Sequence, residues 1–156
     1  MDSALSVLLY LHSNAIYPSG VDAMNVQELI QCYRNGERNF DGINLMNADL
    51  QGVCLAGANF SRANLVAANL SQADLRWINL RGAKLDNANL ANANLHRGNL
   101  TRASLANANF ERADLRAVNL TKAFVAGANF QNADTWGLLM PNGTTVSAFA
   151  PALQSA

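Results

Sequence analysis

The stretch LANANLHRGNLTRASLANANF, residues 90–110, places a large apolar residue at every fifth position: Leu90, Leu95, Leu100, Leu105 and Phe110. An amphipathic helix spaces its apolar face by three and four, and a half-buried strand spaces it by two. A period of five belongs to neither. Two residues before the centre stands mostly Ala, as at Ala88, Ala93, Ala103 and Ala108, and one residue before it usually stands Asn or Asp. In three extended residues the first and third side chains share a face, so Ala and Leu point inward together and Asn points out. The next two residues make a corner. Such corners favour Gly or Asn at their second position, where φ is positive. Gly42, Asn47, Gly52, Gly57, Gly82, Asn87, Asn92, Asn107, Gly127 and Asn132 occupy it. A short side, a corner and another short side predict a chain wound into a solenoid.

Working outward, the centre recurs without interruption from Phe40 to Phe130 and is always Leu, Phe or, at Val125, Val. The Ala position admits Ile43, Val53, Ile78, Gly98 and Val118, all apolar or small. The unit is A-(N/D)-L-x-x, and it covers residues 38–134. Its large apolar centres set it apart from low-complexity disorder.

This unit resembles the motif of the pentapeptide-repeat family. The resemblance implies an all-β solenoid, a right-handed quadrilateral parallel β-helix with about twenty residues per coil. The residues lend support: at a step of twenty, the pre-centre position reads Asn39, Asn59, Asn79, Asn99, Asn119. The start VQELIQCYRNGERNFDG is similar to that of short cyanobacterial members. Most members have no known molecular function, and some act as DNA-shaped inhibitors of type II topoisomerases. That role needs a strongly acidic surface to imitate phosphates. Here 11 basic and 11 acidic residues cancel, which counts against it.

A solenoid exposes unpaired edges at both ends and needs caps. Residues 24–37 predict a front helix, with Asn25 and Glu28 as a capping box, an apolar face of Val26, Leu29, Ile30 and Tyr33, and Gly36 as its stop. Residues 135–156 are expected to form the back cap and tail. Thr135 breaks the pattern there, Pro141-Asn142-Gly143 makes a turn, and Trp136, Leu138, Met140, Val146 and Phe149 are available to cover the last coil. Residues 1–23 are expected to be an extension holding a short helix, and Met24 is an alternative start. The run ALSVLLYL is too short to span a bilayer, and Asp2 stands where a signal peptide carries Lys or Arg. Two cysteines, Cys32 and Cys54, in no metal or disulfide spacing, point to a reducing compartment and a cytoplasmic location.

No catalytic constellation, cofactor motif or metal set is legible. The two histidines, His12 and His96, lack partners at ligand spacing. Asp74, Asp114 and Asp134 share one column, and hydrogen bonding to the neighbouring corner backbone explains them better than acid–base chemistry. The surface is more informative. At twenty residues per coil, Arg76, Trp77, His96, Arg97 and Arg116 fall on one corner, and Arg62, Arg81, Arg102 and Lys122 on the next. A neutral chain has gathered its positive charge. The candidate partner-binding residues are Arg76, Trp77, Arg81, His96, Arg97, Arg102, Arg116 and Lys122. They predict a non-enzymatic, rigid module for a protein partner with an acidic surface. A nucleic acid or other polyanion is the alternative. No membrane contact is expected. Another corner, Met46, Val66, Asp86, Ala106 and Ala126 with Ala67 and Phe124 nearby, is mildly apolar and is the candidate contact for a second copy of the chain.

Overall fold

The computed structural model describes residues 24–147. The extension, His12 and Phe149 lie outside the described residues. From residue 39 onward the backbone repeats one move: an outward residue bridges the coil behind and the coil ahead, the centre turns inward, and a two-residue turn follows. Each bridge is parallel and joins positions twenty residues apart, from Asn39 with Asn59 to Asn119 with Leu139. Twenty residues at five per side give four sides per coil, here named for their first centres: the Phe40, Leu45, Leu50 and Leu55 sides. Each side contributes one bridging residue to its sheet, shorter than the expected three-residue strand, because the corner begins directly after the centre.

The period of five holds because it satisfies every backbone N–H of a repeat. In residues 80–84, Leu80 N–H donates to Asn99 O in the next coil at 2.8 Å, and Gly82 N–H to Thr101 O at 2.9 Å. Ala83 N–H closes the turn onto Leu80 O at 3.0 Å, and Lys84 N–H reaches Ala63 O in the preceding coil at 2.9 Å. The fifth, Arg81 N–H, donates to the side-chain oxygen of Asn79 at 3.2 Å. That last bond explains the Asn or Asp before most centres: an Asx turn serves the one amide the coil cannot. The same residues bond along the axis. Asn59 donates to Asn39 at 2.8 Å and Asn79 to Asn59 at 3.0 Å, while on the Leu50 side Asn69 donates to Asp49 and Asn129 to Asn109, both at 2.9 Å.

The core is a solid column of centres and alanines, with Leu75, Leu80, Leu85, Leu90, Leu95 and Leu100 fully buried. Phe40 packs against Phe60, and Phe110 stacks on Phe130, each pair with ring centroids 5.2 Å apart. In front lies helix α1, Val26–Arg34. Both arms of its capping box form: Glu28 N–H donates to Asn25 at 3.0 Å and Asn25 N–H to Glu28 at 3.1 Å. Leu29 and Cys32 are its buried residues. Cys32 takes the place expected for Ile30, and Val26 and Tyr33 pack at the margin. Tyr33 pins the helix to the first coil by donating its hydroxyl to Ala56 O at 2.8 Å.

At the back the register runs past Asp134. Thr135 is buried at a centre position, Leu138 is fully buried at the Ala position, and Met140 packs at the next centre. Thr fits because it is close to Val in shape. Only after Met140 does the chain turn, through Pro141-Asn142-Gly143, so that Leu139 pairs antiparallel with Thr145 and Val146 N–H donates to Leu138 O at 2.8 Å. Trp136, expected in the cap, instead stands on a corner with 66% of its surface exposed.

Candidate interaction surface

The corner after the Leu55 side carries Ala56-Gly57, Arg76-Trp77, His96-Arg97, Arg116-Ala117 and Trp136-Gly137 on successive coils. The corner after the Phe40 side carries Asp41-Gly42, Ser61-Arg62, Arg81-Gly82, Thr101-Arg102 and Thr121-Lys122. We call them the Arg97 and Arg102 corners. They flank a single face, the Phe40 side, whose outward residues are Asn59, Asn79, Asn99 and Asn119. The eight residues singled out from the sequence therefore come together on one side of the rod. Trp136 joins them, and a step of twenty from Arg116 was the signal that could have found it.

The corner backbone is uniform. At every second corner position from Gly42 to Gly137, φ lies between 54° and 73°. Gly or Asn fills many of these, but Arg62 (58°), Trp77 (55°), Arg97 (60°), Arg102 (60°) and Lys122 (60°) adopt the same left-handed conformation, as do Gln72 (60°) and Arg112 (56°) on the corner after the Leu50 side and the alanines Ala67 (55°) and Ala117 (54°). For an L residue other than Gly or Asn that costs about 1–2 kcal/mol each.

Charge on this side is less uniform than the sequence suggests. Asp74 grips Arg76 through two bonds of 2.8 and 2.7 Å, and Asp114 grips Arg116 through two of 2.9 and 2.7 Å. Asp134 stands 3.5 Å from Arg116, and Arg62 is paired with Asp41. Hydrogen bonding from Arg76 holds the Asp74 carboxyl below its ordinary range, and Arg116 does the same to Asp114, each against an opposing effect of burial. The aspartates also serve the corner backbone, accepting from Arg76 N–H at 3.3 Å, Arg116 N–H at 3.1 Å and Trp136 N–H at 3.2 Å. Of the three arginines on the Arg97 corner, Arg76 and Arg116 are thus already engaged. The Asp-Leu-Arg triplets at 74–76 and 114–116 carried that signal in the sequence.

Trp77 is 51% exposed and meets His96 edge-on at a centroid distance of 6.5 Å, with the Arg76 guanidinium 5.5 Å from the indole. The Nδ1 of His96 is buried without a hydrogen-bond partner among the described residues. On the neighbouring Leu45 side and the corner that follows it, Phe124 and Met46 are 59% and 50% exposed, but Asp86 on that corner is spent on Ser104 (2.5 Å) and on Ala106 N–H (3.1 Å). Among the described residues no group of three or more His, Cys, Asp or Glu side chains is placed to hold a metal ion, and no helix is long and apolar enough to cross a membrane.

A four-sided column of five-residue steps is a repeat protein whose surface is set by its corners. The sequence matches the family described as "Pentapeptide repeats", in 8 copies, over residues 43–82, 73–112 and 99–134. The chain belongs to the pentapeptide-repeat family. Among solved structures it is similar to a pentapeptide repeat protein from the Arabidopsis thaliana thylakoid lumen, with 30% identity over 57% of this chain and TM-score 0.47. The chain spans 66% of that protein, just under two thirds of its length. It is also similar to HetL of the cyanobacterium Nostoc sp. strain PCC 7120, a protein involved in heterocyst differentiation regulation, with 22% identity over 79% of this chain and 100% of HetL, TM-score 0.41. A third is Rfr23 from the cyanobacterium Cyanothece 51142, with 27% identity over 77% of this chain and 97% of that one, TM-score 0.43. No curated protein matches the sequence.

Proposed function

We propose that this chain is a non-enzymatic, rigid interaction module, a right-handed four-sided β-helix that presents the face between the Arg97 and Arg102 corners to an acidic protein surface in the cytoplasm. One observation carries the reading. Of the seven long side chains other than Asn held in the left-handed conformation at corners, where Gly or Asn would cost less, Arg62, Trp77, Arg97, Arg102 and Lys122 gather on the two corners that border one face, and Gln72 and Arg112 lie on the corner after the Leu50 side. Unfavourable local conformation kept at a surface points to use of that surface. Arginine forks suit carboxylates, and an exposed indole supplies contact area. A neutral chain with its cations grouped in this way does not imitate DNA.

A second reading, direct binding of a polyanion, draws on Trp136 standing on the same corner as Trp77, since aromatic side chains and Arg together suit stacked bases. Affinity capture from the native cell separates the two. Wild type is expected to retain an acidic protein that Arg81→Glu/Arg97→Glu/Arg102→Glu/Lys122→Glu loses. A charge-reversal control on other sides, Lys84→Glu/Arg112→Glu, is expected to retain it. The same proteins captured at the same yield by the first variant overturn the reading. Retention of nucleic acid with a steep inverse dependence on salt replaces the protein partner with a polyanion.

A further inference from the structure

Of the cations on the two corners, Arg62, Arg76 and Arg116 have carboxylate partners. Arg81, Arg97, Arg102 and Lys122 have none within 4.0 Å among the described residues. These four form a pattern. Arg81, Arg102 and Lys122 stand on three successive coils of the Arg102 corner, and Arg97 faces them across the Phe40 side. Between them runs the half-buried amide row of Asn79, Asn99 and Asn119. Asn79 and Asn99 bond along this row, at 3.4 Å, and each turns its oxygen to the corner backbone at Arg81 or Thr101, so the strip's amides are engaged and it carries no charge of its own.

We infer that this strip docks an acidic α-helix of the partner protein, lying along the solenoid axis. The inference rests on the acidic-partner reading above and adds the shape of the ligand. Coils stack about 4.8 Å apart, so the three cations span two steps, about 9.6 Å. A helix advances about 5.4 Å per turn, and carboxylates at i, i+4 and i+7 miss that span by roughly 1 Å, which flexible Arg and Lys side chains absorb. An extended strand presents same-face residues every 6.8 Å or so and misses by about 4 Å. Three successive phosphates on one strand of duplex DNA span about 6.8 Å along its axis and miss by roughly 3 Å. Width agrees as well. Three extended residues make a side about 10 Å across, close to the 10–12 Å or so of a helix with its side chains. A helix seated there carries one acidic flank against Arg81, Arg102 and Lys122 and meets Arg97 with the other. Trp77, one coil before Arg97 on the same corner, lies within reach of its apolar stems.

The test uses the full chain and three probes. Two are synthetic helical peptides of about 18 residues and identical composition, one with three Glu at i, i+4 and i+7, the other with the same Glu distributed around the helix. The third is single-stranded oligothymidylate. Titration is followed by anisotropy of the labelled probe and by Trp fluorescence. The register-matched peptide is expected to bind about tenfold tighter than the distributed one, the combined effect of three exposed ion pairs. Arg81→Glu/Arg102→Glu/Lys122→Glu is expected to lose that tenfold, with its thermal melt unchanged, while Lys84→Glu/Arg112→Glu binds as wild type does. Equal affinity for both peptides, lost in the triple variant, overturns the helix and leaves the acidic partner standing. Failure of wild type to bind the matched peptide also overturns the helix, with the acidic partner decided independently by the capture experiment. Tighter binding of oligothymidylate than of either peptide overturns both.

Discussion

The corner after the Leu45 side and the corner after the Phe40 side are built on one backbone, yet they are filled differently. Along the first, the second position reads Asn47, Ala67, Asn87, Asn107, Gly127, and along the second Gly42, Arg62, Gly82, Arg102, Lys122. The conformation hardly differs, with φ of 58° at Asn87 and 60° at Arg102. One corner mostly takes residues that tolerate the left-handed region, with Ala67 as its exception. The other admits long cationic side chains at a cost of about 1–2 kcal/mol each. The coil therefore does not dictate its corners beyond the sign of φ. What differs is the side chains the corners carry, and that difference marks the Arg102 corner as part of the candidate surface.

The comparison presupposes one core beneath both corners, and breaking the core is the largest effect available. Leu85, fully buried, lies between Leu65 and Leu105 in its column. Leu85→Arg is expected to prevent folding, because a charge there would be buried without a partner. Leu85→Ala is expected to cost about 2–5 kcal/mol. Arg81→Ala, four residues away and exposed, is expected to melt like wild type. If the two alanine variants prove equally mild in thermal melts, the register that defines the corners is wrong.

Swapping residues between the corners is the next largest test. Arg102→Asn and Arg97→Asn are each expected to raise stability by about 1 kcal/mol, and Asn87→Arg to lower it by about the same, a shift of roughly 2–4 °C in melting temperature for a chain of this size. The stabilised variants should also lose partner capture. Stabilisation together with loss of capture would sharpen the contrast into a trade of stability for recognition. Swaps that leave the melting temperature unmoved in both directions would mean that the left-handed corners carry no strain and that their composition is no guide to function.

Much of this was legible before the structure. The run from Phe40 to Phe130 gave the centres, the alternation of Ala and Leu gave the inward face, and Gly and Asn marked the corners. A step of twenty grouped the cations on two neighbouring corners. The rest was hidden for identifiable reasons. Thr135 looked like an end because its hydroxyl is polar, but its shape suits a centre position, and the coil continues to Met140. Trp136 looked like a cap because it is large and apolar, whereas its place in the five-residue count puts it on a corner. The pairing of Arg76 and Arg116 is hidden in a column-by-column reading, because the aspartates stand two residues earlier in a different column, although the turn between them folds Asp and Arg onto one another. Gly and Asn advertise a left-handed corner by their type, whereas Arg, Trp and Lys do so only by their place in the five-residue count.

The smallest expected effect separates the two basic corners themselves. On the Arg97 corner, Arg76 and Arg116 are held by Asp74 and Asp114, while on the Arg102 corner Arg81, Arg102 and Lys122 have no carboxylate partner among the described residues. Acid should therefore disturb the settings of Arg76 and Arg116 and leave those of Arg81, Arg102 and Lys122 as they are. Both aspartates are depressed in the folded protein by hydrogen bonds from their arginines. A carboxyl depressed on folding contributes stability that is fully present well above its unfolded value, about 3.9, and that drains as pH falls from there through the lowered folded value. Asp74→Asn/Asp114→Asn removes this contribution without breaking the fold, because Asn94 in the same column already makes the corner bond, accepting from His96 N–H at 3.0 Å. Wild type is expected to melt slightly above this variant at neutral pH, and the gap should close below about pH 4. Exposed pairs contribute little, so the gap will be small. Carboxylates common to both proteins, Asp41 among them, shift the two curves alike and cancel in the difference. A gap that stays constant from neutral pH down through that window would mean that Asp74 and Asp114 do not hold their arginines in solution. Arg76 and Arg116 would then be as available as Arg102, and the docking strip would extend across both corners.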